Sequence, residues 1–188
     1  MTAVATRSYT VDEYLQLDAE AEDERYEFQN GSLIPMAGAE PEHNQIKDNV
    51  SAELRTWFQP EGCWVMTSDQ RVRVSFGYVY PDVVVACEPS YEDTRPRTLQ
   101  NPELIVEVTS DSTQARDHSD KLAAYTDLDS LREYWTIDPE KALLTQYTRD
   151  ADGWRVHSHT ALSDTVESNT FNLEVSLRDL YALVIREE

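Results

Sequence analysis

A mixed α/β fold, with a mixed sheet flanked by helices, is what the apolar patterning of this chain predicts. Three observations carry that expectation. Glu42–Phe58 repeats apolar residues at helical spacing. Val83–Cys87 (VVVAC) and Glu103–Thr109 (ELIVEVT) are apolar runs of strand length, of the kind found in buried central strands. Helical and strand patterns alternate with no linker or composition shift between them, so one domain over residues 1–188 is expected.

Each element follows from a local signal. Thr10 to Leu17 predicts a short helix, with Thr10 and Glu13 forming a capping box and Val11, Tyr14 and Leu15 an apolar face. Arg25 to Met36 predicts a hairpin, because Asn30-Gly31 favours a type I′ turn between two alternating runs. That alternation puts Tyr26 and Phe28 on one face and Glu27 on the other. Glu42–Phe58 is the main helix, with Ile46, Val50, Leu54 and Phe58 as its apolar stripe and Pro60 and Gly62 ending it. Strands are expected at Cys63–Thr67 and at Arg71–Phe76, where Gly77 breaks the run, and then at Val83–Cys87. Glu88–Pro102 reads as a polar surface loop, and Glu103–Thr109 as the second central strand. A turn at Ser110, Asp111 and Ser112 leads into a helix over about 116–128, with Leu122, Ala123 and Tyr125 toward the core. Glu133–Ile137 is a strand, Leu143–Thr148 and Trp154–His159 a second hairpin, and Leu177–Ile185 a terminal helix.

Composition limits the function. There are 36 acidic against 16 basic residues, a net charge of −20, so the chain does not coat nucleic acid by electrostatics alone. A divalent ion with a few local cations can still serve a phosphodiester inside an acidic protein, and the same charge can simply aid solubility or suit a salty cytosol. No apolar run has the length of a signal peptide or a membrane span, which predicts a cytoplasmic protein with no membrane partner. Cys63 and Cys87 sit among apolar neighbours and read as buried free thiols.

Acidic residues inside apolar strands are the unusual feature. Asp82 opens VVVAC and Glu107 interrupts an otherwise apolar strand. A carboxylate in such a place is costly unless it is paired or binds metal. Two of them on neighbouring strands offer hard oxygen ligands suited to Mg²⁺ or Mn²⁺. The segment from Ser110 to Ser119 is long enough to fold the next helix back over the strand end, which brings Lys121 within reach. Glu27 is a candidate fourth member.

The segments YPDVVVACEPS, NPELIVEVTSDST, RDHSDKLAAY and LREYWTIDP, in that order, resemble the Uma-type family of endonucleases within the PD-(D/E)XK nuclease superfamily. RYEFQNGSLIPM and PEHNQIKDNVSAEL resemble the N-terminal pattern of the same family, so the likeness runs from about Tyr9 to Tyr181. It implies a restriction-endonuclease-like core and metal-dependent hydrolysis of nucleic acid, with DNA the expected substrate. Asp82 and Glu107 would be the metal ligands, Lys121 the lysine that orients water, and Glu27 the early glutamate completing the water or metal shell. Two residues after Glu107 the chain has Thr109 where the general pattern has lysine, so the implied activity depends on Lys121. A homodimer would let two sites cut both strands.

Plainer readings stand beside these. Asp82 after Pro81 can cap a turn, Lys121 can be a solvated helix residue, and Glu27 an exposed hairpin residue. His43 reads as a helix-start residue, with approach to the site or its phosphate as the alternative, and His118, His157 and His159 make no zinc pattern. Arg71, Arg73, Arg95 and Arg97 are candidate phosphate contacts or simply a solvated face. Trp57, Trp64, Trp135 and Trp154 read mostly as core. Two other functions fit the acidic surface: a catalytically silent binding or regulatory protein on the same fold, and a phosphodiesterase acting on small nucleotides.

Overall fold

Thr10 caps helix α1 (Val11–Glu20) in a computed structural model that describes residues 7–21, 24–36, 38–109 and 115–185. The Thr10 side chain accepts from the Glu13 N–H and the Glu13 carboxylate accepts from the Thr10 N–H, as the capping box requires. Strands β1 (Tyr26–Gln29) and β2 (Ser32–Pro35) form the expected hairpin. Asn30 and Gly31 have φ of 48° and 86°, the pair of positive values that a type I′ turn needs. Helix α2 (Pro41–Phe58) buries Ile46, Val50, Leu54 and Phe58. Full burial of each such side chain contributes about 1.5–3 kcal/mol.

Next come β3 (Trp64–Thr67), β4 (Val72–Val74), β5 (Gly77–Val79) and β6 (Val83–Ala86). The run expected as a single strand over Arg71–Phe76 is instead a hairpin that turns at Ser75-Phe76 and returns as β5. Phe76 continues the apolar alternation, so the sequence hid the turn. Gly77 begins the new strand rather than breaking the old one. A Cβ there would lie 2.0 Å from the Phe28 carbonyl oxygen, and its absence lets β5 pair with β1. The stretch read as a surface loop holds β7 (Tyr91–Glu92) and β8 (Thr98–Leu99), and β8 is buried against β4.

Strand β9 (Leu104–Val108) is followed by helix α3 (Ala115–Thr126) and strand β10 (Glu133–Ile137), which lies parallel to β9. The turn expected at Ser110–Ser112 lies outside the described residues. On α3 the buried residues include Ala124 and Tyr125, while Ala123 faces outward, one position off the expected face. A hairpin follows, β11 (Leu144–Asp150) and β12 (Gly153–His159), and then a further one, β13 (Thr165–Ser168) and β14 (Leu173–Ser176). Helix α4 spans only Leu177–Leu180, shorter than the expected 177–185. The Asn49 side chain donates to the Leu180 and Ala182 carbonyls, which a longer helix would use itself, and Leu183 has a φ of 71°.

The strands form a central sheet in the order β12-β11-β10-β9-β6-β3 and a second sheet in the order β2-β1-β5-β4-β8-β7. On one face of the central sheet, Val83, Val85, Leu104, Val106, Trp135 and Ile137 pack with α2, α4 and the β13–β14 hairpin. On the other, Val84, Ile105 and Tyr134 pack with Ala124 and Tyr125 of α3 and with Val72, Val79 and Leu99 of the second sheet. The fold class is therefore as expected, a mixed α and β arrangement with sheets flanked by helices.

Cys63 and Cys87 are not free thiols: they form a disulfide. The antiparallel register pairs Trp64 with Ala86, so the next pair outward is Cys63 opposite Cys87, with Cα atoms 4.1 Å apart. Sequence alone did not reveal that β3 and β6 are partners.

Candidate active site

Strands β6 and β9 run antiparallel with Val83 opposite Val106 and Val84 opposite Ile105. Asp82 therefore stands opposite Glu107, and strand alternation puts both on the face that carries Val84 and Ile105, under α3. Asp82 Oδ2 accepts from the Val108 N–H at 2.8 Å and from His43 Nε2 at 3.1 Å. Glu107 Oε1 accepts from the Tyr125 hydroxyl at 2.7 Å and lies 3.5 Å from Lys121 Nζ.

Lys121 reaches this point because α3 connects two parallel neighbours, β9 and β10, and so crosses back over their face. Its Nζ donates to Glu27 Oε1 at 2.9 Å. Glu27 comes from β1 in the second sheet, and its Oε1 also accepts the Tyr80 N–H at 3.2 Å. Glu27 is buried, as a residue opposite Tyr26 and Phe28 must be when both faces of its hairpin are covered. The structure thus brings Glu27, Asp82, Glu107 and Lys121 into one cluster, with side-chain exposures of 7%, 16%, 11% and 14%.

Electrostatics follow from this crowding. Burial pushes the Glu107 carboxyl up to about 7, with Asp82 and Glu27 adding to the rise and the Lys121 ammonium opposing it. Burial, and then the neighbouring carboxylates, hold the Tyr125 phenol well above its ordinary pKa, which keeps it a donor. Three carboxylates facing one ammonium leave a local excess of negative charge.

That excess, and the type of the donors, fit a hard divalent cation. Asp82 and Glu107 each have one oxygen occupied by chain donors, and among the described residues no donor reaches Asp82 Oδ1 or Glu107 Oε2. Among the described residues no group of three or more His, Cys, Asp or Glu is arranged to hold an ion. Two carboxylates suffice in type for Mg²⁺, which keeps several waters and takes one or two protein carboxylates beside the substrate phosphate.

Two more members join the cluster: His43, for which approach to the site is the alternative reading, and Tyr125, expected only as a core residue. His43, read as a helix-start residue, contacts Asp82; its place three residues before Ile46 and seven before Val50 puts it on the buried side of α2, and that spacing was a usable signal. Tyr125 lies one turn beyond Lys121, on the same helix face.

Other candidates fall elsewhere. Arg71 is fully buried, held by Asp18 at 2.6 Å, Thr98 at 2.8 Å and the Pro96 carbonyl at 2.7 Å, so it is no phosphate contact. Arg73 lies over the Tyr78 ring, and Arg95 and Arg97 are exposed. Of the four tryptophans only Trp135 is fully buried; Trp64 is 58% and Trp57 39% exposed, because they sit on the edge strand and the outer side of α2. His157 and His159 pack edge to face in a separate cleft of about 650 Å³, whose buried Glu133 carboxylate is already taken by Trp135, Gln146 and Ser168. No helix among the described residues is long and apolar enough to cross a membrane.

The chain is similar to known proteins over nearly its whole length. A crystal structure from Anabaena variabilis ATCC 29413, described as "a putative nuclease belonging to DUF820", superposes with a TM-score of 0.74, covering 94% of this chain and 99% of that one at 18% identity. An uncharacterized protein of Synechocystis sp. (strain ATCC 27184 / PCC 6803 / Kazusa) is 37% identical over 141 residues, 73% of this chain and 79% of that protein. A second from the same strain is 27% identical over 173 residues, 90% of each. The model of the Uma2 family, described as "Putative restriction endonuclease", matches residues 11–180. With residues 11–180 matched, nearly the whole chain, this protein belongs to the Uma2 family described as "Putative restriction endonuclease".

Proposed function

We propose that this protein is a divalent-metal-dependent endonuclease, acting on DNA, with Asp82 and Glu107 as the metal ligands. The observation that carries the reading is the buried Asp82–Glu107 pair on adjacent strands, with Lys121 reaching over it from α3 to Glu27. Family membership supports the same class of reaction. Mg²⁺ or Mn²⁺ held by the two carboxylates would polarise a phosphoryl oxygen and acidify a water.

The chain's own residues do the rest. The Val108 N–H and His43 fix Asp82, and Tyr125 fixes Glu107, so both ligands are oriented before substrate arrives. Glu27 accepts from Lys121 Nζ and holds it beside the carboxylate pair. Lys121 then orients the attacking water and offsets the charge that builds on phosphorus as water adds and a P–O bond breaks. In this reading one domain carries one site, and a two-fold homodimer supplies the second site for cutting both strands.

The test is cleavage of plasmid and oligonucleotide DNA with Mg²⁺ or Mn²⁺. Wild-type protein is expected to nick or cut, and Asp82→Ala and Lys121→Ala to lose at least about 100-fold in rate, as removal of a charge-stabilising group does. No metal binding by calorimetry, together with wild-type and variant proteins that behave alike on DNA, RNA and dinucleotides, would sink the proposal. Turnover of dinucleotides but not DNA would move the substrate to small nucleotides.

A further inference from the structure

Beyond the four residues of the proposed site, we infer that His43 and Tyr125 are positioning residues which restrict Asp82 and Glu107 to one free oxygen each. The inference rests on the metal-dependent reading above. Asp82 Oδ2 is taken by two donors, the Val108 N–H at 2.8 Å and His43 Nε2 at 3.1 Å. Glu107 Oε1 is taken by the Tyr125 hydroxyl at 2.7 Å, with Lys121 Nζ at 3.5 Å. The occupied oxygens therefore belong to different carboxylates on facing strand positions, and each is held from a different helix, α2 and α3.

The chemistry of this arrangement is selective. A carboxylate oxygen that accepts a strong donor has less lone-pair density left for a cation, so its donor-free oxygen binds the cation first and two-oxygen binding is disfavoured. Mg²⁺ and Mn²⁺ accept single oxygens in a tight octahedron, whereas Ca²⁺ fills a larger shell and readily takes both oxygens of a carboxylate. The two donors thus favour the smaller ions. Because the Asp82 carboxylate must accept, His43 donates through Nε2, and among the described residues its buried Nδ1 has no hydrogen-bond partner. Among the described residues the ring's hydrogen bond is therefore to Asp82 alone. Tyr125, fully buried, donates its single proton to Glu107.

Outer groups of this kind change metal affinity about 10- to 100-fold when removed. Mg²⁺, Mn²⁺ and Ca²⁺ titrations by calorimetry on the full chain, with thermal melts of the metal-free proteins alongside, test the inference. His43→Ala and Tyr125→Phe are expected to weaken Mg²⁺ and Mn²⁺ binding within that range while weakening Ca²⁺ binding less, so the Mg²⁺/Ca²⁺ preference falls. His43→Gln, whose amide can still donate to Asp82, is expected to restore part of the loss; this conservative variant and Tyr125→Phe keep the test open if His43→Ala fails to fold. Wild-type metal binding with unchanged affinity and selectivity in His43→Ala and Tyr125→Phe overturns this inference alone. Wild-type protein that binds no divalent ion overturns both this inference and the proposed function.

Discussion

Glu107 shows what a single side chain decides here. It is buried among apolar strands, and in the metal-free protein burial outweighs Lys121, so its carboxyl titrates near 7 rather than at the usual carboxylate value of 4.5. The folded chain therefore holds this proton more tightly than the unfolded chain does. As pH rises from about 4.5 to about 7 the unfolded state gives up the proton first, and stability falls by up to about 3 kcal/mol from this group. Above pH 7 the cost is constant. Glu107→Gln keeps an acceptor for Tyr125 and removes the charge. It is expected to raise the metal-free Tm at pH 8 and to leave it unchanged at pH 4.5, measured by melts across that range; a gain that is the same at both values would show that charge is not the cause. The sequence exposed this residue because a mid-strand Glu needs a partner. It could not name Tyr125 as that partner, since the contact spans 18 residues and is not local in the chain.

Elements are tied together by side chains that the sequence left ambiguous. Arg71 on the turn before β4 and Asp18 on α1 form a buried ion pair, with Tyr80 also donating to Asp18 Oδ2 at 2.7 Å. The guanidinium further lies near the Tyr14 and Tyr78 rings. This joins α1 to the second sheet, which carries Glu27 on β1. Arg71→Met leaves Asp18 buried without its cation and is expected to cost about 3–5 kcal/mol by denaturant unfolding. Adding Asp18→Asn should recover part of that loss, and a double variant no better than the single one would show that packing, not charge, dominates. Arg71 looked like a phosphate contact because alternation put it beside Arg73; only the position of α1 reverses that. The Cys63–Cys87 disulfide has the same origin: each cysteine flanks a strand, and only the β3–β6 pairing makes them neighbours.

At the scale of the molecule, net charge acts on every part of the surface. With 36 acidic and 16 basic residues, self-repulsion acts across the whole surface. Surface ion pairs such as Arg7–Glu13 and Arg155–Asp150 pull the other way but are exposed and contribute little. Screening is therefore expected to stabilise: raising NaCl from about 0.02 M to about 0.5 M shortens the Debye length from roughly 20 Å to under 5 Å and should raise the Tm of the metal-free protein. A Tm that falls with salt would mean that attractive pairs outweigh repulsion. For a DNA substrate the same acidity leaves phosphate recognition to the site and its few nearby cations rather than to the surface as a whole.

The sequence by itself determined the alternation of helices and strands, the two central strands and the placement of acidic residues within them. These depend on local periodicity and on the cost of burying a charge, both of which are written residue by residue. It also carried the family resemblance, through motifs that recur in order from Tyr9 to Tyr181. Tertiary structure alone decided which strands are neighbours, and so that Asp82 faces Glu107, that Cys63 meets Cys87, and that β5 returns beside β1. It decided too that Arg71 is buried and that His43 reaches Asp82. The reason is the same in each case: a contact between residues far apart in the chain is set by the packing of whole elements, and no local pattern encodes it.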